Sequence, residues 1–283
     1  MKLKERISCL WPLFHFGLKI REYVRGEGII RVLIYHHVAP SDMSYFSEQI
    51  EVLQKNYNII NFKEFSRMYS GEVKVNGINV LITFDDGFYS SRKVCEQVLD
   101  PRGIKAVFFV LPDLILAKNK KEAIAIINKG IFDGQPPADA NSLDYMRATD
   151  IEFLLKMGHT IGSHTRRHKR LSSGLSEAEL IDEIIRSGDQ LERLFKINID
   201  CFAYPFGDAM SINQQALQLA LQRYRYVFSG VRGSNLVTAH QRRCLLRDEI
   251  SPTYSTSLTR LIVEGGLTMR YRRARNVLSQ MEE

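Results

Sequence analysis

The chain has 283 residues, which is enough for one α/β domain with a complete hydrophobic core. A composition of 45% hydrophobic and 25% charged residues argues against a disordered chain, a repeat array or a low-complexity protein. The net charge of +7 is consistent with an anionic partner, such as a membrane surface or an anionic glycan, or with a generally basic surface. No aromatic stripe accompanies the basic residues, so we expect no nucleic acid partner.

The N-terminal segment has three basic residues followed by an apolar run at 7–18. Pro12 and His15 interrupt this run, and no small-residue cleavage site follows it. It is also shorter than the about 20 apolar residues that a membrane span needs. We therefore predict an amphipathic segment over 1–28. It either associates peripherally with an anionic membrane face or packs on the domain as a helix.

The cysteines are scattered along the chain without a CxxC pair. They are Cys9, Cys95, Cys201 and Cys244. We expect reduced thiols, although the sequence leaves a disulfide open, and reduced thiols indicate a reducing compartment. The expected location is the cytoplasm, including the inner face of the cell membrane.

Strand-like and helix-like segments alternate along the chain after residue 28. The predicted strands are the short apolar runs at 31–35, 79–84, 105–110, 159–163, 200–204, 224–228 and 245–250. The predicted helices have apolar residues near the 3.6-residue period and span 44–55, 61–70, 89–99, 120–128, 149–157, 176–196 and 212–222. This alternation predicts a parallel sheet that is closed or nearly closed on itself. We expect one domain over 29–264, followed by a basic tail over 265–283.

Residues 113–148 interrupt the alternation with a helix and a loop rich in Gly, Pro, Asp and Asn. An excursion that follows a barrel strand lies on the active-site face, where such loops often determine substrate choice. A passive insertion is the alternative.

Two short runs carry the chemistry of the chain. The run TFDDG at 83–87 ends one predicted strand with paired carboxylates, and the run SHTRRH at 163–168 follows another with two histidines. Active sites of barrels and open α/β sheets lie at the carboxyl ends of strands, so these side chains should meet. One Asp and two His can bind a divalent metal with open positions for water and substrate. The other Asp is then free to act as a base, which predicts a hydrolase site.

These runs resemble the first two motifs of the polysaccharide deacetylases, the NodB-homology domain of carbohydrate esterase family 4. A third run, FAYPFG at 202–207, resembles the third motif of that family, and the resemblance covers about residues 30–250. The resemblance implies a metal-dependent hydrolase that removes acyl groups, usually acetyl, from N-acylated sugars. It also implies an α/β fold, a distorted (β/α) barrel with about seven parallel strands.

The resemblance assigns roles to the two carboxylates and the two histidines. Asp86, His164 and His168 are the implied ligands of one divalent ion, which is zinc or, alternatively, cobalt, nickel or manganese. Asp85 is the implied general base, whose carboxylate stays ionised beside a cation and takes a proton from the water nucleophile. The alternative for Asp85 is a residue that only orients a metal ligand.

The third motif departs from the commonest family pattern, which has an arginine where this chain has Ala203. Arg247 is a candidate to hold Asp85 instead of the missing motif arginine. The segment Tyr204, Pro205 and Phe206 is expected to contact substrate. The Phe206 N–H is the candidate oxyanion donor because Pro205 has none. Tyr204 and Phe206 would form an apolar wall.

The general acid is also displaced. The late Leu-x-His motif that usually supplies it is absent, since the only histidine after residue 208 is His240. The run LIYH at 33–36 resembles the Tyr-His motif of family members in which the acid lies at the front of the fold. The first and last strands of a closed barrel are neighbours, so His36 would reach the same place. A packed histidine is the alternative. Strand alternation should turn His37 away.

The leading hypothesis is therefore a hydrolase that removes an acetyl or formyl group from an amino sugar of a polysaccharide, lipopolysaccharide or lipid-linked glycan precursor. The alternative is a glycan-binding or assembly protein that kept the fold and lost turnover, because the acid and the motif arginine are irregular. The retained Asp85 argues against this alternative, since a protein that only binds glycans has no use for a base beside metal ligands.

Overall fold

The computed structural model describes residues 28–137, 140, 143–172, 174–235 and 242–283. The predicted amphipathic segment and Cys9 therefore lie outside the described residues, apart from Gly28. The cysteines that are described, Cys95, Cys201 and Cys244, are buried and unpaired. No helix within the described ranges is both long and apolar enough to cross a lipid bilayer.

One parallel sheet organises the described part of the chain. Its strands are β1 (Ile29–Tyr35), β2 (Asn58–Ile60), β3 (Ile78–Phe84), β4 (Val107–Val110), β5 (Thr160–Ser163), β6 (Cys201–Ala203), β7 (Tyr226–Phe228), β8 (Cys244–Leu245) and β9 (Asp248–Glu249). The order is β8-β7-β6-β5-β4-β3-β1-β9, with β2 beside β3, and each of these pairings is parallel. The sheet thus has the repeated crossover connections of an α/β protein.

Residues 244–249 close the sheet into a distorted barrel. β8 pairs with β7 at one end of the strand order, and β9 pairs with β1 at the other. Only two residues, Leu246 and Arg247, separate β8 from β9. The predicted strand at 245–250 is thus two short strands that face different neighbours. With β8 and β9 taken as one, seven strands follow the closed path, which confirms the predicted α/β barrel.

Helices connect the strands and cover the sheet. They are α1 (Met43–Asn56), α2 (Phe62–Tyr69), α3 (Tyr89–Val94), α4 (Pro112–Ile115), α5 (Lys120–Ile126), α6 (Ala148–Lys156), α7 (Glu177–Leu180), α8 (Arg186–Phe195), α9 (Gln214–Arg223), α10 (Thr256–Val263) and α11 (Arg272–Glu282). Three π-helical turns extend them, at Cys95–Leu99, Ile127–Ile131 and Ile181–Ile185.

Alternate residues of the strands belong to two hydrophobic cores. Phe108 packs in the larger core together with helix residues, whereas its neighbour Phe109 packs in a smaller core with Phe228 and with Phe65 of α2. The rings of Phe109 and Phe228 are 5.4 Å apart. Burial on both faces explains why the strands are continuous apolar runs, and it fixes the strand ends that carry the site.

Two segments outside the repeating pattern also have helices and buried side chains among their described residues. The excursion 113–148 has a small core of its own, formed with Leu111 and centred on Leu114, Ile127 and Tyr145. Residues 265–283, expected as a basic tail, include α11. This helix buries Leu278 and packs against α9.

Candidate active site

Asp85 and His164 lie at the carboxyl ends of two strands. Asp85 directly follows β3, and its N–H donates to the Tyr35 carbonyl at 3.0 Å. His164 follows β5, and its N–H donates to the Val110 carbonyl at 3.0 Å. These bonds continue the sheet ladder by one residue, so the first residue of each motif is held by the rigid scaffold.

Asp86, His164 and His168 form one buried cluster. The Nε2 atoms of His164 and His168 lie 3.4 and 3.2 Å from Oδ1 of Asp86. Each Nδ1 faces a backbone carbonyl, that of Ala203 at 2.6 Å and that of Gly130 at 3.1 Å. Since a carbonyl can only accept, each Nδ1 carries a proton, and in the neutral ring each Nε2 then presents a lone pair.

This donor set fits a divalent cation. Oδ1 of Asp86 is buried and receives no hydrogen bond, and Nε2 of both imidazoles faces it, each with a lone pair when its ring is neutral. Three such groups repel one another unless a cation lies among them, and Asp with two His is a common ligand set for zinc. Burial raises the pKa of Asp86, but in the metal-free chain the hydrogen bonds and positive charge of the His164 and His168 imidazoles outweigh burial and hold this pKa well below its usual range. The carboxyl is therefore an ionised ligand.

The turns around the cluster use left-handed backbone. Non-glycine residues with φ between 61° and 75° are Asp86, Thr165, His168 and Phe206. Such conformations are uncommon for residues with a Cβ and tend to occur at functional sites. The hydroxyl of Thr165 accepts the N–H of His168 at 3.0 Å and closes the turn between the histidines.

Asp85 is paired with Arg247 rather than with the cluster. Both guanidinium Nη atoms donate to its two carboxylate oxygens, each at 2.8 Å. Arg247 is itself fixed by hydrogen bonds to the Ser229 carbonyl at 2.8 Å and the Thr83 hydroxyl at 3.2 Å. Burial raises the pKa of Asp85, but Arg247 and His164 lower it by a larger amount, so the net shift of this pKa is downward. A carboxylate in this state is available as a base at neutral pH.

His36 lines the same cavity as Asp85, Asp86, His164 and His168. The cavity volume is about 470 Å³, within the range of small-molecule sites. His36 directly follows β1, which lies beside β9 as the closed barrel requires.

The expectation that His37 turns away from the cavity is wrong, because it also lines the cavity. β1 ends at Tyr35, so strand alternation no longer applies at the next two residues. The His37 ring packs edge-on against Phe88 at 5.7 Å, and its Nδ1 lies 2.9 Å from the Ser90 hydroxyl. The third histidine considered, His240, lies outside the described residues.

The third motif contributes one side chain to the cavity. Phe206 lines it, with its ring 4.8 Å from that of His168 and the Arg170 guanidinium 3.8 Å from the Phe206 ring centre. Tyr204 is fully buried and packs in the larger core, so its expected place in an apolar wall is wrong. Pro205 is buried as well and is not among the lining residues. The backbone is left-handed at Phe206, with φ of 62°, directly after these two buried residues.

The excursion supplies contacts that sequence reasoning did not identify. The Gly130 carbonyl accepts from His168, and a Cβ at this glycine would collide with the Arg167 carbonyl oxygen. The available signal is the position of this glycine, which follows the predicted helix 120–128 by two residues. The next residues, Ile131 and Phe132, line the cavity together with Leu143. The excursion therefore touches both a candidate metal ligand and the space for substrate.

Comparisons with known proteins agree with this geometry. A family model for polysaccharide deacetylase matches residues 72–226, which is more than half of the chain. YxkH of Bacillus subtilis (strain 168), named as a polysaccharide deacetylase, is 24% identical over 195 residues. That match covers 67% of this chain and 60% of YxkH, so this chain spans less than two thirds of the length of YxkH.

Solved structures share the fold. The deacetylase PplD of Streptococcus pyogenes, solved with acetate, has a TM-score of 0.63 and 20% identity, over 82% of this chain and 96% of its own. IcaB of Ammonifex degensii has a TM-score of 0.62 and 21% identity, over 84% of this chain and 97% of the IcaB chain. With the family match over residues 72–226, the chain belongs to the polysaccharide deacetylase family.

Proposed function

We propose that this protein is a metal-dependent hydrolase that removes an N-acyl group, acetyl or formyl, from an amino sugar. The sugar belongs to a bacterial polysaccharide, a lipopolysaccharide or a lipid-linked glycan precursor. One observation carries the proposal: a buried Asp-His-His ligand set lies beside a second carboxylate, Asp85, that Arg247 keeps ionised. A base beside metal ligands is typical of a hydrolase, because it can take a proton from the attacking water. Glycan binding alone does not require such a base.

The proposed metal is zinc, held by Asp86, His164 and His168. When bound, the ion would polarise the acyl carbonyl and make water a better nucleophile at neutral pH. The Nδ1–H bonds of the two histidines to backbone carbonyls keep both rings in the tautomer that a metal ligand requires. The chain thereby presents its ligands already oriented.

The remaining steps are proton transfers and charge stabilisation by the chain itself. Asp85 takes the proton of the attacking water, and Arg247 holds this carboxylate in place with two hydrogen bonds. The Phe206 N–H is the proposed donor to the developing oxyanion. His36 gives a proton to the leaving nitrogen as the C–N bond breaks, so the products are an amine and a carboxylate.

The cavity lining supports an acylated sugar as the substrate. The side formed by the excursion is apolar, with Ile131, Phe132 and Leu143, whereas the strand ends provide the polar groups. A pyranose with an acyl group is similarly two-sided, since its C–H face and methyl are apolar and its hydroxyls are polar. Glu249, also in the lining, is exposed and available to sugar hydroxyls.

The direct test measures acetate and formate release from a panel of N-acetylated and N-formylated amino sugars and oligosaccharides. Zinc-loaded protein is compared with chelated protein. We expect release that requires the metal. If metal-loaded protein released neither acid from any member of the panel, yet bound these glycans, the binding protein would be the correct assignment.

Removing the histidine ligands should abolish metal binding. We expect one divalent ion per chain in the purified protein, and loss of this ion in the double variant His164→Ala/His168→Ala, because Asp86 alone offers one carboxylate. Elemental analysis after gel filtration measures the metal-to-protein ratio. The variant His159→Ala is the control, since His159 is buried beside Asp100 and outside the cluster. Full occupancy in the double variant would contradict the ligand assignment.

Replacing His36 by glutamine should lower turnover, because a glutamine amide cannot give a proton to the leaving nitrogen at neutral pH. We expect His36→Gln to lower kcat about 10²- to 10⁴-fold. Steady-state kinetics on a confirmed substrate measures this loss, and His37→Gln is the matched control because His37 lines the same cavity. Activity of His36→Gln within a few-fold of wild type would return the role of acid to another group or to water.

A further inference from the structure

The loop between the two candidate histidine ligands has a constrained backbone. Thr165 and His168 have φ of 63° and 61°, in the left-handed region that residues with a Cβ rarely adopt. Such conformations persist only where the surrounding contacts over-determine them. The position of the His168 imidazole follows from this backbone. Contacts that fix residues 165–168 therefore determine the geometry of the ligand set.

Glu183 holds the loop from a neighbouring helix. Its Oε2 accepts the N–H of Arg166 at 3.0 Å and the N–H of Arg167 at 2.9 Å. The residue is 1% exposed and lies in the π-helical turn Ile181–Ile185 between α7 and α8. π-Helical turns frequently occur at functional sites, where the extra residue redirects a side chain. Burial raises the pKa of Glu183, and the two N–H donors act against that shift.

The side chains of the loop are held separately, at the surface. The Arg166 guanidinium pairs with Asp113 at 2.9 Å and with Asp182 at 2.7 Å, and Arg167 pairs with Asp113 at 2.6 Å. These pairs are partly exposed, so solvent weakens them, and they restrain flexible side chains. Glu183 instead contacts the main chain between the two histidines. Together with the Thr165 hydroxyl, which accepts the N–H of His168, it constrains the backbone of the loop, and it is the contact that comes from a neighbouring helix.

We infer that Glu183 is a positioning residue for the metal site. By accepting both N–H groups it fixes the turn that brings His168 within 3.2 Å of Asp86, and it thereby determines the affinity of the site for a divalent ion. This inference rests on the proposed function. A residue that only stabilised the fold would change the melting temperature and leave the metal affinity of folded protein unchanged. Loss of a partner that orients metal ligands typically weakens binding 10- to 100-fold.

The test measures zinc affinity by competition with a chromophoric chelator, alongside the melting temperature of the metal-free protein. The variants are Glu183→Ala, which removes both accepted hydrogen bonds, and Glu183→Gln, which keeps one oxygen in the same place. Leu191→Ala is the stability control, because Leu191 is fully buried in α8 as part of the larger hydrophobic core and is not one of the candidate ligands. We expect Glu183→Ala to weaken zinc binding about 10- to 100-fold. Glu183→Gln should restore most of the affinity, and Leu191→Ala should lower only the melting temperature.

Two results would overturn the inference. One is wild-type zinc affinity in folded Glu183→Ala. The other needs no variant, since unprotected hydrogen exchange at the amides of Arg166 and Arg167 in metal-free wild type would show that Glu183 does not hold them. This second measurement decides the matter if Glu183→Ala does not fold. A wild-type protein that bound no zinc would refute the proposed function itself and is thus a distinct outcome.

Discussion

Replacing Asp85 by asparagine is expected to leave the metal content unchanged and to lower turnover about 10²- to 10⁴-fold. The carboxylate is not part of the Asp-His-His cluster, and its Oδ2 lies 3.9 Å from Nε2 of His164. Asparagine has nearly the same shape but cannot accept a proton at neutral pH. Steady-state kinetics on a confirmed substrate, with elemental analysis of the same sample, measures both quantities.

The control for Asp85→Asn must separate loss of the base from disturbance of its partner. An asparagine amide can accept only one of the two Arg247 hydrogen bonds, so some loss of stability is expected. Turnover is therefore expressed per folded, metal-loaded molecule. Because the pKa of Asp85 is lowered, the wild-type carboxylate is ionised at every pH above the ordinary carboxyl value of about 3.9. Activity of the variant within a few-fold of wild type would mean that another group is the base.

Much of the site could be predicted because its chemistry follows strand ends. Asp85 and Asp86 come directly after one apolar strand, and His164 comes directly after another. In a parallel sheet the carboxyl ends of strands meet at one edge, so position along the chain predicts position in space. The pairing of β1 with the last strand, β9, could also be predicted, because the first and last strands of a closed barrel are neighbours.

Other features depend on local backbone geometry or on contacts between distant segments. Tyr204 is buried whereas Phe206 lines the cavity, and Phe206 has a left-handed backbone that no sequence pattern specifies. His37 lines the cavity because β1 ends at Tyr35, and the last residue of a strand is difficult to predict. The Gly130 carbonyl reaches His168 across 38 residues, through the fold of the excursion. Periodicity within a segment carries no information on such contacts.

The closing segment 244–249 shows both what the sequence predicts and what it does not. The sequence predicts a strand there, and the structure divides it so that β8 and β9 pair with opposite ends of the sheet. Arg247 lies in the interruption, and its side chain points into the cavity, where it pairs with Asp85. Arg247, the expected replacement for the arginine that the third motif lacks at Ala203, thus lies in a different part of the barrel, next to the point of closure.

Replacing Arg247 by methionine is expected to destabilise the protein by about 3–5 kcal/mol, because it leaves the buried Asp85 carboxylate without its partner. Activity per folded molecule should fall about 100-fold, since the base loses its orientation. The stability effect should depend on pH. The folded pKa of Asp85 lies below the unfolded value, so the pair stabilises the protein above about pH 3.9. That contribution is lost as the pH falls through the folded pKa. Urea unfolding near pH 7 and in acid measures the free energy of unfolding. The difference in this free energy between wild type and Arg247→Met should be smaller in acid.

Arg31→Met is the matched control for this prediction. Arg31 is equally buried and pairs at 3.0 Å with Asp248, the next residue of the same segment, but neither residue lines the cavity. Its loss should lower stability and leave turnover per folded molecule near wild type, whereas Arg247→Met should lower both. The double variant Asp85→Asn/Arg247→Met should be less impaired than the sum of its single variants, because each single change already breaks the shared pair. Additive effects would mean that Arg247 acts on the reaction independently of Asp85.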